Sequence, residues 1–118
     1  MELSADEPGP GWAPQACTLP DAQRPQRAAQ FSGLFGEAVL GVERAGPTRL
    51  LIDLRPSPQV AGRVAELVTA ETGCCSFFTF TLTMAASQLV LEVTVPDRHI
   101  DVLDGLAAQA AADAAAAP

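Results

Sequence analysis

The 118-residue chain contains no lysine and no tyrosine, and it has one histidine, one tryptophan and three cysteines. All of its seven basic residues are arginines, and its 14 acidic residues give a formal net charge of −7. Phosphate backbones and anionic lipid headgroups repel such a chain, so we expect no nucleic-acid partner and no membrane partner. No apolar run approaches the roughly 20 residues that a membrane span needs. The length suits a single domain with one core.

The first residues, Met1 to Pro8, are acidic and lack the hydrophobic run of a secretory leader. We therefore expect a cytoplasmic protein in a reducing compartment, where structural disulfides are rare. An odd number of cysteines fits that expectation. The three thiols are then candidates for free thiols, metal ligands or redox groups.

Hydrophobic periodicity predicts an α+β domain with the element order α-ββ-α-ββ-α. Residues 1–20 are rich in proline and glycine and are predicted to form a flexible arm. Residues 21–111 form the domain, and the Ala-rich residues 112–118 are expected to fray. Asp21 is a candidate N-cap for the first helix, and Gly73 a candidate C-cap for the second. We predict a four-stranded antiparallel sheet of two hairpins, with the helices on one face.

The segment from Glu71 to Phe80 concentrates the reactive side chains, because Cys74 and Cys75 stand where a helical pattern gives way to a strand pattern. Vicinal cysteines admit three interpretations. One thiol can fill the core while the other is incidental. A redox role would more easily use Cys17 as the second thiol, since a disulfide between adjacent residues is strained. Convergent thiolates could instead bind a soft ion such as Hg(II), As(III), Cu(I) or Zn(II).

Other residues are candidates for the same site. Pairing of the last two strands would bring His99 to the end of the sheet that carries the cysteines, where an imidazole can bind a metal or activate a thiol. A solvated histidine in a first helical turn is the competing interpretation. Arg24 and Arg27 follow Cys17 and could pair with an oxyanion such as arsenate. Glu71 is either a base near the thiols or a solvated carboxylate at a helix end.

Two stretches together, Cys17-Thr18-Leu19-Pro20 before a helix and Glu71-Thr72-Gly73-Cys74-Cys75-Ser76-Phe77-Phe78-Thr79-Phe80, resemble a family of small actinobacterial proteins often labelled arsenate reductases. The Cys-Cys-Ser-Phe-Phe core is also similar to a segment that follows the DNA-binding part of some MerR-type regulators. The resemblance covers residues 15–110. It implies an association with soft metals or metalloids.

From these observations we expect a cytosolic thiol protein of soft metal or metalloid chemistry. If the protein is an enzyme, one thiolate attacks arsenate, Arg24 or Arg27 pairs with the oxygens, and a second thiol releases arsenite as a disulfide forms. Cys17 with Cys74 or Cys75 would be catalytic, with a small thiol or a thioredoxin-like protein as reductant and no required cofactor. The alternatives are a non-catalytic metal-binding or sensing module that uses Cys17, Cys74, Cys75 and His99, and a structural domain. In the structural alternative, the exposed sheet face, with Leu51 and the threonines of the third strand, forms a homodimer.

Overall fold

The structure is a computed structural model that describes residues 24–74 and 77–116. Within these ranges, three helices and four strands alternate as the hydrophobic periodicity predicts, and a 3₁₀ turn at Asp97–His99 precedes the last helix. The elements are α1 (Arg24–Ala38), β1 (Val39–Gly46), β2 (Arg49–Leu54), α2 (Pro58–Cys74), β3 (Thr79–Ala85), β4 (Gln88–Thr94) and α3 (Ile100–Ala116). The predicted α+β class and element order are confirmed.

The four strands form one antiparallel sheet in the order β1-β2-β4-β3. The two strands of each hairpin are neighbours in the sheet. The two hairpins join where β2 pairs with β4, with Ile52 opposite Leu91. Along both central strands, buried residues alternate with partly exposed ones. Within the described part of the chain, one face of the sheet is therefore covered and the other is open.

The core lies between the covered face of the sheet and the three helices. The helices contribute fully buried side chains that include Phe31, Phe35, Val64 and Leu103. Helix α1 packs against both of its neighbours, with α3 toward β1 and α2 toward β3. None of the helices in the described ranges has the length and apolarity needed to cross a membrane.

The predicted end of the second helix is wrong. Helix α2 continues through Gly73 to Cys74, so this glycine is not the C-cap. Helix α3 continues to Ala116, past the boundary at residue 111. The extra turn has neighbours, because the Asp113 side chain accepts a hydrogen bond from Gln109 and its backbone oxygen lies near Gly36 of α1. The predicted arm, the Asp21 cap and residues 117–118 lie outside the described residues.

Candidate functional site

The only polar residue among the buried side chains of the described residues is Glu71, in the last turn of α2. Its side chain is 2% exposed and accepts a hydrogen bond of 3.0 Å from Nη1 of Arg27, in the first turn of α1. Burial raises the pKa of the Glu71 carboxyl above its usual range, and the hydrogen bond and charge of Arg27 partly oppose that rise. The interpretation of Glu71 as a solvated carboxylate is therefore wrong.

Helical geometry explains why Glu71 is inside. Val60 and Val64 lie eleven and seven residues before it along the apolar stripe of α2, both buried, so residue 71 falls on the same face. A carboxylate in that position needs a cationic partner. That partner is Arg27, which lies 44 positions away from Glu71 in the sequence. Periodicity places Glu71 on the buried face, but it does not reveal this partner.

Aromatic rings and the histidine meet just after the cysteines. The His99 ring lies 4.3 Å from the Phe77 ring, centroid to centroid, at an interplanar angle of 30°. Phe77 in turn contacts Phe78, whose ring is 5.2 Å from that of Phe80. His99 is half-buried, and its backbone N–H donates to the carbonyl of Pro96. This arrangement places the histidine ring against a residue two positions beyond Cys75.

The structure describes the side chains of only some of the predicted site residues. Cys17 and Cys75 lie outside the described residues, as do the side chains of Arg24 and Cys74. The backbone of Cys74 closes α2, one helical turn after Glu71. Among the residues that the structure describes, no group of three or more histidine, cysteine, aspartate or glutamate side chains has a geometry able to hold a metal ion.

Arg27 is the one predicted oxyanion-binding residue with a described side chain. Its guanidinium is engaged by the Glu71 carboxylate, which offers a negative charge where an incoming oxyanion would bind. A free oxyanion must compete with this carboxylate. The arrangement therefore disfavours Arg27 as an arsenate-binding group and favours a role in holding α1 against α2.

A separate cleft of about 500 Å³ lies at the other end of α2, away from the cysteines. Pro56, Pro58 and Ala61 line one side, and Met84 and Leu89 line the other. None of its lining residues is titratable at neutral pH. The cleft offers a mainly apolar surface with no acidic or basic side chain.

Comparison of the chain with protein-family models, with curated proteins and with solved structures finds no match.

Proposed function

We propose that the protein binds a soft metal or metalloid ion, such as trivalent arsenic or Hg(II), through the thiolates of Cys74 and Cys75. Thiolates are the side chains that such ions prefer. The proposal includes Cys17 as a third ligand and places the protein in a reducing cytoplasm, where these thiols stay available.

The observation that carries the proposal is the ion pair between Arg27 and Glu71. It joins the first turn of α1 to the last turn of α2, so the chain enters the domain beside the helix end that carries Cys74. Cys17 precedes Arg24 by seven positions. Seven residues of extended chain span roughly 24 Å, which allows the Cys17 thiol to reach the vicinal pair.

His99 supports the same location. Its ring packs on Phe77, so an imidazole nitrogen is available close to the segment that follows the cysteines. A neutral imidazole can act as a ligand or as the base that deprotonates a thiol. We assign it as an auxiliary group, because thiolates alone satisfy the low coordination numbers of these ions.

Binding is a better proposal than turnover of arsenate. A reductase of the expected kind needs a free cation for the arsenate oxygens. Of the two predicted arginines, the one with a described side chain, Arg27, is already paired with a buried carboxylate. A trivalent arsenic species or Hg(II) carries no anionic oxygens that require such a cation. We therefore propose a module that sequesters or senses the ion.

The test is an anaerobic titration of the reduced protein with arsenite and with Hg(II), following the absorbance of the thiolate–metal bond. We expect one ion per chain, loss of binding in Cys74→Ser and in Cys75→Ser, and affinity weakened by about tenfold or more in Cys17→Ser. A variant with all three cysteines replaced gives the background. Unchanged binding in the Cys74→Ser/Cys75→Ser variant would refute the site. Arsenate turnover with a thiol reductant, lost in the same variants, would show that the assignment of binding without catalysis is wrong.

A further inference from the structure

The last strand at one side of the described sheet is β3, and nothing in the described ranges pairs with its outer edge. Its seven residues, Thr79–Ala85, pair with β4 without interruption. The backbone N–H and C=O groups along the outer edge of such a strand are free to pair with another strand. Natural proteins protect such edges with charges, prolines or bulges.

The opposite edge of the sheet is protected in this way. Strand β1 carries Glu43 and Arg44, and its pairing with β2 has two register shifts, at Leu40 and at Ala45. The Arg44 guanidinium donates to the backbone carbonyls of the adjacent turn and pairs with a carboxylate of α3 at 2.7 Å. Strand β3 has no charged residue, no proline and no shift in its register.

The charge of the chain makes this difference informative. Two copies that each carry a net charge of −7 repel one another unless they meet at a neutral surface. The other three strands all contain charged residues, and only β3 among the four described strands has none. We propose that β3 pairs with β3 of a second copy, antiparallel about a two-fold axis, so that two sheets form one continuous eight-stranded sheet. This inference does not depend on the proposed thiol site.

One register uses the whole strand and is centred on Leu82. On the covered face of the sheet, it places Phe80 opposite Met84 of the second copy and Leu82 opposite its own counterpart. Met84 is 68% exposed, whereas Phe80 and Leu82 are partly buried, so the pairing covers an otherwise solvated methionine. Thioether–aromatic contacts are favourable. On the open face, Thr81 lies opposite Thr83, a favourable cross-strand pair.

The test uses charge at the exposed threonines of β3. Thr81→Lys/Thr83→Lys places lysine opposite lysine in the paired strands, and Thr81→Glu/Thr83→Glu places glutamate opposite glutamate. Each variant alone should be monomeric, with the dimer Kd raised by about tenfold or more, because opposed like charges disfavour the pairing. A mixture of the two variants should restore a dimer. Ala108→Lys/Ala111→Lys adds the same charge at exposed positions on α3 and should leave the dimer intact.

Sedimentation equilibrium in reductant measures the fraction of dimer. Protein concentrations from about 10 to 500 µM are needed, because a contact limited to one strand edge is small and small interfaces are weak. A wild type that stays monomeric over this range, or a lysine variant that stays dimeric, would overturn the proposal. Circular dichroism confirms that each variant is folded. Spin labels on cysteines placed at position 81 or at position 83, in a background without native cysteines, check the register. A two-fold axis at Leu82 predicts equal distances between labels at the two sites, and unequal distances would refute that register.

Discussion

Replacing Arg27 with methionine should strongly destabilise the protein, because it leaves the Glu71 carboxylate buried without a cation. The two side chains are 17% and 2% exposed, and their charged atoms are 3.0 Å apart. At an effective dielectric constant of about 20 their attraction is about 5 kcal/mol, which offsets the cost of burying the carboxylate. Removing one partner of a buried pair typically costs about 3–5 kcal/mol. We expect a loss of about 3 kcal/mol at pH 7, or a fall in melting temperature of about 12–24 °C.

The loss should depend on pH. Burial raises the pKa of Glu71 in the folded state, and without Arg27 nothing among the described residues opposes that rise. Because the pKa is higher in the folded state, the Glu71 carboxyl keeps its proton to a higher pH in the folded state than in the unfolded state. The contribution of Glu71 to the free energy of unfolding is therefore fully present below the pKa of its carboxyl in the unfolded state, near 4.5. It is lost as the pH rises through the pKa of the carboxyl in the folded state. Arg27→Met should approach the wild type in stability near pH 4.5 and fall furthest behind above neutrality.

Urea denaturation followed by far-UV circular dichroism, at several pH values, measures these effects. The matched control is Arg63→Met, because Arg63 of α2 pairs with Glu37 of α1 at the surface and joins the same two helices. That exposed pair should contribute about 0–1 kcal/mol. The double variant Arg27→Met/Glu71→Met should be close to the wild type in stability, since apolar side chains of similar size replace the whole pair. A loss below about 1 kcal/mol in Arg27→Met at pH 7 would contradict a charged, buried Glu71.

Three further changes test other parts of the fold. Ser87→Gly should stabilise the protein by about 1 kcal/mol, because the turn between β3 and β4 holds Ser87 at φ 64°, where a side chain is unfavourable; Ser87→Ala, which keeps the Cβ, should give no gain, and a gain there would refute the explanation. Leu103→Ala should cost about 3 kcal/mol, since Leu103 is fully buried, whereas Leu40→Ala, at a site that is 60% exposed, should cost less than about 1 kcal/mol; equal losses in urea denaturation would contradict the packing described here. In Glu71→Gln the site carries no titrating proton, so the stability of the wild type relative to this variant should decrease as the pH rises above about 4.5, and a difference independent of pH would show that Glu71 does not titrate as described.

Strand positions were the most predictable part of the fold, because burial of one sheet face imposes strict alternation. Leu50 and Ile52 in β2, and Leu89 and Leu91 in β4, are buried as their spacing predicts. Alternation is a local property of the chain, and the sequence displays it directly. It does not show which strands are at the edges, and so it could not foresee that Met84 is exposed at the end of β3.

The helix ends and the ion pair were harder to predict for a different reason. Gly73 looks like a stop signal, but α2 continues through it to Cys74. Helix propensity and capping are weak preferences that packing overrides. Glu71 shows the same limit, since its position on the apolar stripe was visible, while its ion pair depends on how α1 meets α2. The spacing of residues within one helix does not show which side chains of a helix distant in sequence it contacts.

The strand order also has a consequence for how the chain folds. The contacts within each hairpin are close in sequence, so each hairpin can form on the microsecond scale. The join between β2 and β4 is different, because Arg49 pairs with Thr94 across about half of the described chain. Closing so long a loop costs chain entropy before any contact compensates for it. We expect the folding rate to be set by the meeting of two preformed halves. Mutations at this join and mutations within a hairpin should then both slow folding, because both sets of contacts are already present in the transition state.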